Sequence, residues 1–255
     1  MTTPARDFGV QSYCFRNFKD NAEVAAMAKQ IGVDKVELCA VQIDFDAPDT
    51  WPDIIAAYRD AGVTLVSCGV ETYVGDEQHA RNRFEFAKAA GLKHLTAHFR
   101  PDTFHHAVPQ VANLLDEYDL RLAIHCHGGY MFGGDVPTLK HLVDLGEQTK
   151  PGRIGVCIDT AWCMQTGPRD GNPVRWAREH FAGRVFGVHY KDFVFDKAAQ
   201  WTDVVVGTGN LDLPAFVSAL EETNFDGFAV IEYEAEPDNP VPALTECVRK
   251  MRELA

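Results

Sequence analysis

A glycine followed by an aliphatic residue recurs at Gly32-Val33, Gly62-Val63 and Gly91-Leu92, each time between a stretch of helical spacing and a short apolar run. A glycine just past the last turn stops a helix, and an apolar run rich in β-branched residues after it reads as a strand. A chain that repeats strand, helix, stop and strand builds a parallel sheet covered by its own helices, because each strand is reached through a crossover and not through a hairpin. Residues 8–15 read as strand one and 21–31 as an amphipathic helix capped by Asp20 or Asn21. Residues 33–39 and 51–61 follow as the second pair, with Thr50 before the helix and Pro52 in its first turn. Strands over 63–70, 93–98, 121–127, 153–159, 184–190 and 228–232 alternate with helices over 77–90, 108–118, 137–148, 173–181 and 214–223 and a last one towards the C-terminus. Eight such units, with no linker or low-complexity segment between them, predict an α/β fold, one (β/α)8 TIM barrel over residues 1–255. The loops after strands six and seven are long.

Composition narrows the function classes. Against 24 Lys+Arg stand 37 Asp+Glu, a net charge of −13, which disfavours a phosphate backbone as partner and makes a nucleic-acid role a poor expectation. The first residues lack the apolar core of a signal peptide, and no run approaches a membrane span, so the expectation is a cytoplasmic chain with no membrane partner. Seven cysteines without a C-x-x-C pair argue against a disulfide framework and against a thiolate zinc site.

In a barrel, chemistry sits at the C-terminal ends of the strands. Those ends carry Glu37, His98, His125 with His127, Asp159, His189 with Lys191-Asp192, and Glu232. Leu122-Ala123-Ile124-His125-Cys126-His127-Gly128-Gly129 reads as a buried strand entering a loop. Residues i and i+2 of a strand face one side, so His125 and His127 share a space and Cys126 points away. Taken alone, such a pair serves equally as a metal or acid–base site or as two imidazoles bonded to nearby backbone. Buried carboxylates need a counter-charge, and a divalent cation held by His125, Asp159, His189 and Glu232 would supply one. Two nitrogens and two oxygens suit manganese, cobalt, zinc or magnesium.

The segments around His125, Gly155-Val-Cys-Ile-Asp159-Thr, Arg184-Val-Phe-Gly-Val-His189-Tyr-Lys191-Asp192, Val206-Gly-Thr-Gly-Asn-Leu-Asp-Leu and Gly227-Phe-Ala-Val-Ile-Glu232-Tyr-Glu234 together resemble the xylose isomerase-like sugar phosphate isomerase/epimerase superfamily. The resemblance spans the barrel. It implies a sugar or polyol substrate, one divalent metal ion with manganese foremost, and assembly as a homo-oligomer. It also implies metal ligands at Asp159, His189 and Glu232. The strand-five ligand position, usually glutamate in relatives, is His125 here, which puts His127 beside the substrate. Trp162 stands where many members carry histidine and would wall the pocket.

With one glutamate of the usual pair replaced, Glu232 is left as the carboxylate base, which favours one-base isomerisation, with a dehydratase of keto-sugar or inosose type as the alternative. His127 or Lys191 would protonate an oxygen; Lys191 would otherwise orient a substrate group or pair with Asp192. Glu37 is expected to bind substrate hydroxyls or to pair with a buried basic group, and His98 to face either pocket or core. His105 and His106 are expected on a solvated loop, with Glu234 and Glu236 solvated beyond strand eight and Arg16 at the surface. An endonuclease IV-like phosphodiesterase and a non-catalytic subunit are the competing classes.

Overall fold

The computed structural model describes residues 3–128 and 131–253. In chain order these form β1 (Gly9–Gln11), α1 (Asn21–Gln30), β2 (Lys35–Leu38), α2 (Trp51–Asp60), β3 (Thr64–Tyr73), α3 (Glu77–Ala89), β4 (His94–Phe99), α4 (Phe104–Glu117) and β5 (Arg121–His125). There follow α5 (Val136–Thr149), β6 (Ile154–Asp159), α6 (Thr160–Gln165), α7 (Pro173–Arg175), β7 (Val185–Tyr190), β8 (Asp192–Phe195), β9 (Trp201–Val204), α8 (Leu213–Glu222), β10 (Phe228–Ile231) and α9 (Val241–Arg252). Eight parallel strands close in the order β1-β10-β7-β6-β5-β4-β3-β2, with helices between them, which is the (β/α)8 TIM barrel. No helix among the described residues is long and apolar enough to cross a membrane.

The glycine stops act as their spacing predicts. Gly32, at φ 93°, donates its N–H to Lys29 O while Val33 N–H reaches Ala28 O, and the same double closure ends α2 through Gly62 and Val63. The motif also ends α4 and α8, but there Asp119 and Asn224 hold the left-handed position, at φ 53° and 55°, ahead of buried Leu120 and Phe225. The repeat is therefore more regular in the backbone than in the sequence.

Several boundaries differ from the sequence reading. Strand one ends at Gln11, because the Gln11 side chain accepts the N–H of Tyr13 and starts a 3-10 turn over Ser12–Phe15. Helix α4 begins at Phe104, so exposed His105 and His106 lie in its first turn and not on a loop. Residues 173–181 form α7 and a π-helical turn, Trp176–His180. Of the two long loops, one holds α6, capped by the Asp159 carboxylate, and the other folds into the antiparallel hairpin β8–β9. Gly129, the second glycine of the His125-Cys-His127 motif, lies outside the described residues.

Beneath the mouth of the barrel the interior is packed solid. Ala123, Cys157, Gly187 and Val230 stand two residues before His125, Asp159, His189 and Glu232, so strand parity places them one layer below. At Gly187 a Cβ would lie 2.8 Å from the Phe228 ring and 3.2 Å from Cys157 Sγ. The ring of Phe228 fills the space that a side chain at 187 would need, and the layer becomes a floor for the four residues above it.

Candidate metal centre

Four polar side chains meet on that floor. His125 and Asp159 end β5 and β6, His189 is the penultimate residue of β7, and Glu232 follows β10; one ligand atom from each lies within 4.8 Å of all the others. His125 Nε2 is 3.1 Å from His189 Nδ1 and 3.7 Å from Asp159 Oδ2, and His189 Nδ1 is 3.3 Å from Glu232 Oε2. Adjacency of β5, β6, β7 and β10 in the barrel makes this possible. Cys126, between the two histidines, turns into the outer core, where its sulfur meets the Asp159 main chain.

The electrostatics suit a cation. Burial, and then the charge of His189, hold the His125 imidazole well below the ordinary histidine value, so it is neutral with a lone pair to give. Burial lifts the Asp159 carboxyl to about 7, against the pull of Lys191. Burial also pushes Glu232 up, but Lys191 and His189 beside it bring it well below the usual carboxylate range. For His189 burial acts downward, while the neighbouring Cys157 sulfur and the carboxylates of Glu37 and Glu232 outweigh it and hold the ring well above its ordinary value. Asp159 uses Oδ1 to cap α6 at Ala161 and Trp162, and its buried Oδ2 has no hydrogen-bond partner among the described residues. An orphaned carboxylate oxygen facing two imidazole nitrogens and a second carboxylate fits one divalent cation, which would take up the unused acceptor.

Glu37 is not in the cavity. It is fully buried, and its carboxylate accepts from Ser67 Oγ (3.0 Å), from Thr96 Oγ1, and from His189 Nε2 at 2.6 Å. The expectation that it binds substrate hydroxyls gives way to the other reading, a pairing with a buried basic group. It holds the far nitrogen of His189 and leaves Nδ1 turned to the cluster. Lys191 is also displaced from its expected place. Only 1% exposed, it bonds to Glu234 and lies 3.5 Å from Glu232 Oε2, not against Asp192. Glu234 is thus ion-paired and not simply solvated, and Arg16, expected at the surface, donates from Nη2 to the Glu234 carbonyl at 2.6 Å. Asp192 instead accepts the N–H groups of Gly207, Gly209 and Leu211, which accounts for the Gly-Thr-Gly loop.

A cavity of about 290 Å³ opens above the cluster, with His98, His125, His127, Trp162, Glu232 and Glu234 in its wall. His125 and His127 share it, as their spacing predicts, although the strand has ended at His125. The His127 ring lies 4.5 Å from that of Trp162 at 31°, and His98 stands edge-on 5.3 Å from His125. Burial, then His125 and His127, push His98 down to about 3, which keeps it neutral. Sequence reasoning missed Gln11 and Tyr13 in the same wall; Gln11 ends β1 and Tyr13 lies in the turn that replaced the rest of strand one, for which composition carried no signal.

Over 146 residues the chain is 28% identical to the rhizopine catabolism protein MocC of Rhizobium meliloti, a match that takes in 52% of this chain and only 42% of that relative's length. Among solved structures, the IolI protein with a zinc atom bound shares the fold at TM-score 0.72 and 14% identity, over 96% of each chain. The apo form of 3-keto-D-glucoside 4-epimerase, YcjR, from E. coli does so at TM-score 0.71 and 14% identity, over 97% of this chain and 99% of that one. At that identity the likeness is one of fold. The sequence pattern of the xylose isomerase-like TIM barrel matches residues 25–254, most of the chain, and the protein belongs to that family.

Proposed function

We propose that the chain is a divalent-metal-dependent enzyme that moves a proton at the carbon next to a carbonyl of a sugar, keto-sugar or polyol, as a one-base isomerase. The observation that carries this reading is the four-donor cluster with its orphaned Asp159 Oδ2 at the base of an open cavity. His125, Asp159, His189 and Glu232 would hold the ion, with manganese proposed first and zinc, cobalt or magnesium as substitutes. When bound, such an ion polarises a carbonyl and a neighbouring hydroxyl as a Lewis acid.

The protein's own groups divide the remaining work. Of the two carboxylates in the cavity wall, Glu232 is the one in the cluster, beside the carbonyl that an ion held there would polarise, and it is the group that takes the proton. Neutral His98 and the partly exposed His127 stand over the cluster, where they can donate to a substrate oxygen. Trp162 walls one side of the cavity. Lys191 keeps Glu232 ionised and does not line this cavity, a positioning role in place of the proton donation first expected of it. The family membership and the sugar-epimerase named among the fold neighbours agree with a carbohydrate substrate.

The test is solvent deuterium exchange, followed by NMR, into a panel of ketoses, aldoses and inososes with protein stripped of metal and then reloaded with Mn²⁺. Exchange is expected only in the reloaded protein and is expected to vanish in Glu232→Gln. Reloaded protein that exchanges no deuterium into any member would refute the reading. Loss of a hydroxyl with formation of a double bond would move the assignment to the dehydratase alternative.

A further inference from the structure

A second cavity, at about 430 Å³ larger than the first, adjoins it on the far side of Trp162 and shares Trp162 and Glu234 with it as a common wall. The hairpin β8–β9, which the barrel itself does not need, supplies Trp201, Thr202 and Asp203 to its lining. Trp201 is 43% exposed, yet it is held flat by stacking on Phe193 at 4.5 Å and 13°. Its edge meets Trp162 at 5.1 Å and 79°, so the two indoles form an apolar corner.

Two unsatisfied polar atoms belong to the same wall. Asp203 is 9% exposed; its Oδ2 accepts the N–H of Glu234 at 2.8 Å, while Oδ1 is buried with no hydrogen-bond partner among the described residues. Arg16 uses Nη2 on the Glu234 carbonyl, and its buried Nη1 likewise has no partner among the described residues. Buried polar groups are paired in the great majority of cases, so an orphan acceptor and an orphan donor on two residues that line one cavity point to a ligand with polar groups of its own. Hydroxyls suit both, since one can donate to the carboxylate and another accept from the guanidinium, while indole faces take the C–H face of a ring. The charge balance refines the choice. The Glu234 carboxylate opposes a phosphate, the cations of Arg16 and Lys191 oppose an ammonium group, and a neutral polyhydroxylated ring meets neither objection.

We propose that this cavity is a subsite for the second, neutral sugar unit of a glycoside or disaccharide, whose reacting unit lies over the metal cluster on the other side of Trp162. The inference rests on the sugar-active reading of the first cavity and narrows its substrate class. Calorimetric titration of the Mn²⁺-loaded protein with trehalose, maltose and cellobiose, set against glucose and glucose 6-phosphate, tests it. At least one disaccharide is expected to bind about tenfold more tightly than either monosaccharide. Trp201→Ala, and independently the isosteric Asp203→Asn, should remove that preference, while Trp201→Phe should keep it. Equal affinity for all five sugars, tighter binding of glucose 6-phosphate, or a preference that survives both Trp201→Ala and Asp203→Asn would overturn the proposal. Deuterium exchange into a free ketose reads the first cavity alone. Exchange without a disaccharide preference sinks this inference and leaves the enzyme reading intact; a preference without exchange refutes the enzyme reading and leaves the second cavity as a sugar-binding site with no reacting unit beside it.

Discussion

The Glu37→Gln substitution separates a residue that orients a metal ligand from one that fills space. Glu37 is fully buried, with one oxygen facing the Ser67 and Thr96 hydroxyls and the other facing His189 Nε2 at 2.6 Å. Glutamine has the same shape but one acceptor and one donor. If its oxygen faces His189, the contact survives without charge assistance, since the two hydroxyls can turn to accept from the amide. If its NH₂ faces His189, Nε2 must accept, the ring proton moves to Nδ1, and the nitrogen that faces the cluster loses its lone pair. Loss of an outer partner of a metal-bound histidine typically costs about 10–100-fold in affinity, roughly 1.4–2.7 kcal/mol, with the amide-oxygen orientation at the lower end and the flipped tautomer at the upper. Calorimetric titration with Zn²⁺ or Mn²⁺ reads the affinity, and ¹⁵N spectra of the zinc-loaded protein read the His189 tautomer. Ser67→Ala, which removes a donor on the other oxygen, should change affinity by less than about threefold. An affinity for Glu37→Gln as close to wild type as that control would refute the orienting role.

Metal affinity should also weaken as pH falls. His189 stands well above its ordinary value in the metal-free protein, so binding an ion displaces a proton from it; below about 7 Asp159 is protonated as well and a second proton must leave. The dissociation constant should then rise about tenfold per pH unit for each proton displaced, more steeply below neutrality, and a flat profile would contradict the assignment of these two ligands. Lys191→Met leaves the buried Glu232 and the half-buried Glu234 without their cation. A stability loss of up to roughly 3–5 kcal/mol by urea unfolding is expected, less whatever Glu232 recovers by taking up a proton. Because burial then acts on Glu232 unopposed by that charge, the acid limb of kcat/KM should move to higher pH; a limb that stays in place would show that Lys191 does not tune Glu232. Gly187→Ala puts a methyl against the Phe228 ring and should cost about 1–3 kcal/mol, a prediction that an unchanged urea midpoint would end.

The barrel was legible because its signals are local. A glycine stop, an apolar run and a polar residue at the end of that run each lie within a few positions of one another, and strand parity alone puts His125 and His127 on one side and Cys126 on the other. Where Asp119 and Asn224 take the glycine position the same stop exists without its letter, since short polar side chains tolerate the left-handed conformation. The gathering of His125, Asp159, His189 and Glu232 followed from their places at strand ends once the barrel was assumed.

The partners of charged groups that meet across the barrel could not be read in this way. Glu37 and His189 are 152 residues apart and touch only because the barrel closes, so nothing near Glu37 distinguishes a carboxylate that meets substrate from one that steadies a histidine. Lys191 is followed by Asp192, but the backbone turns their side chains to different tasks, one to Glu232 and Glu234 and the other to the Gly207–Leu211 loop. The hairpin that builds the second cavity has its strands joined by a short, polar turn with the left-handed Ala199, a signal too weak to pick out from a long loop. The sequence by itself thus determined the class of fold and the chemical groups at its mouth, because both are set by short-range periodicity. The tertiary structure alone decided which of those groups face a substrate and which face one another, because side-chain contacts across a closed barrel depend on strand adjacency, which local sequence does not encode.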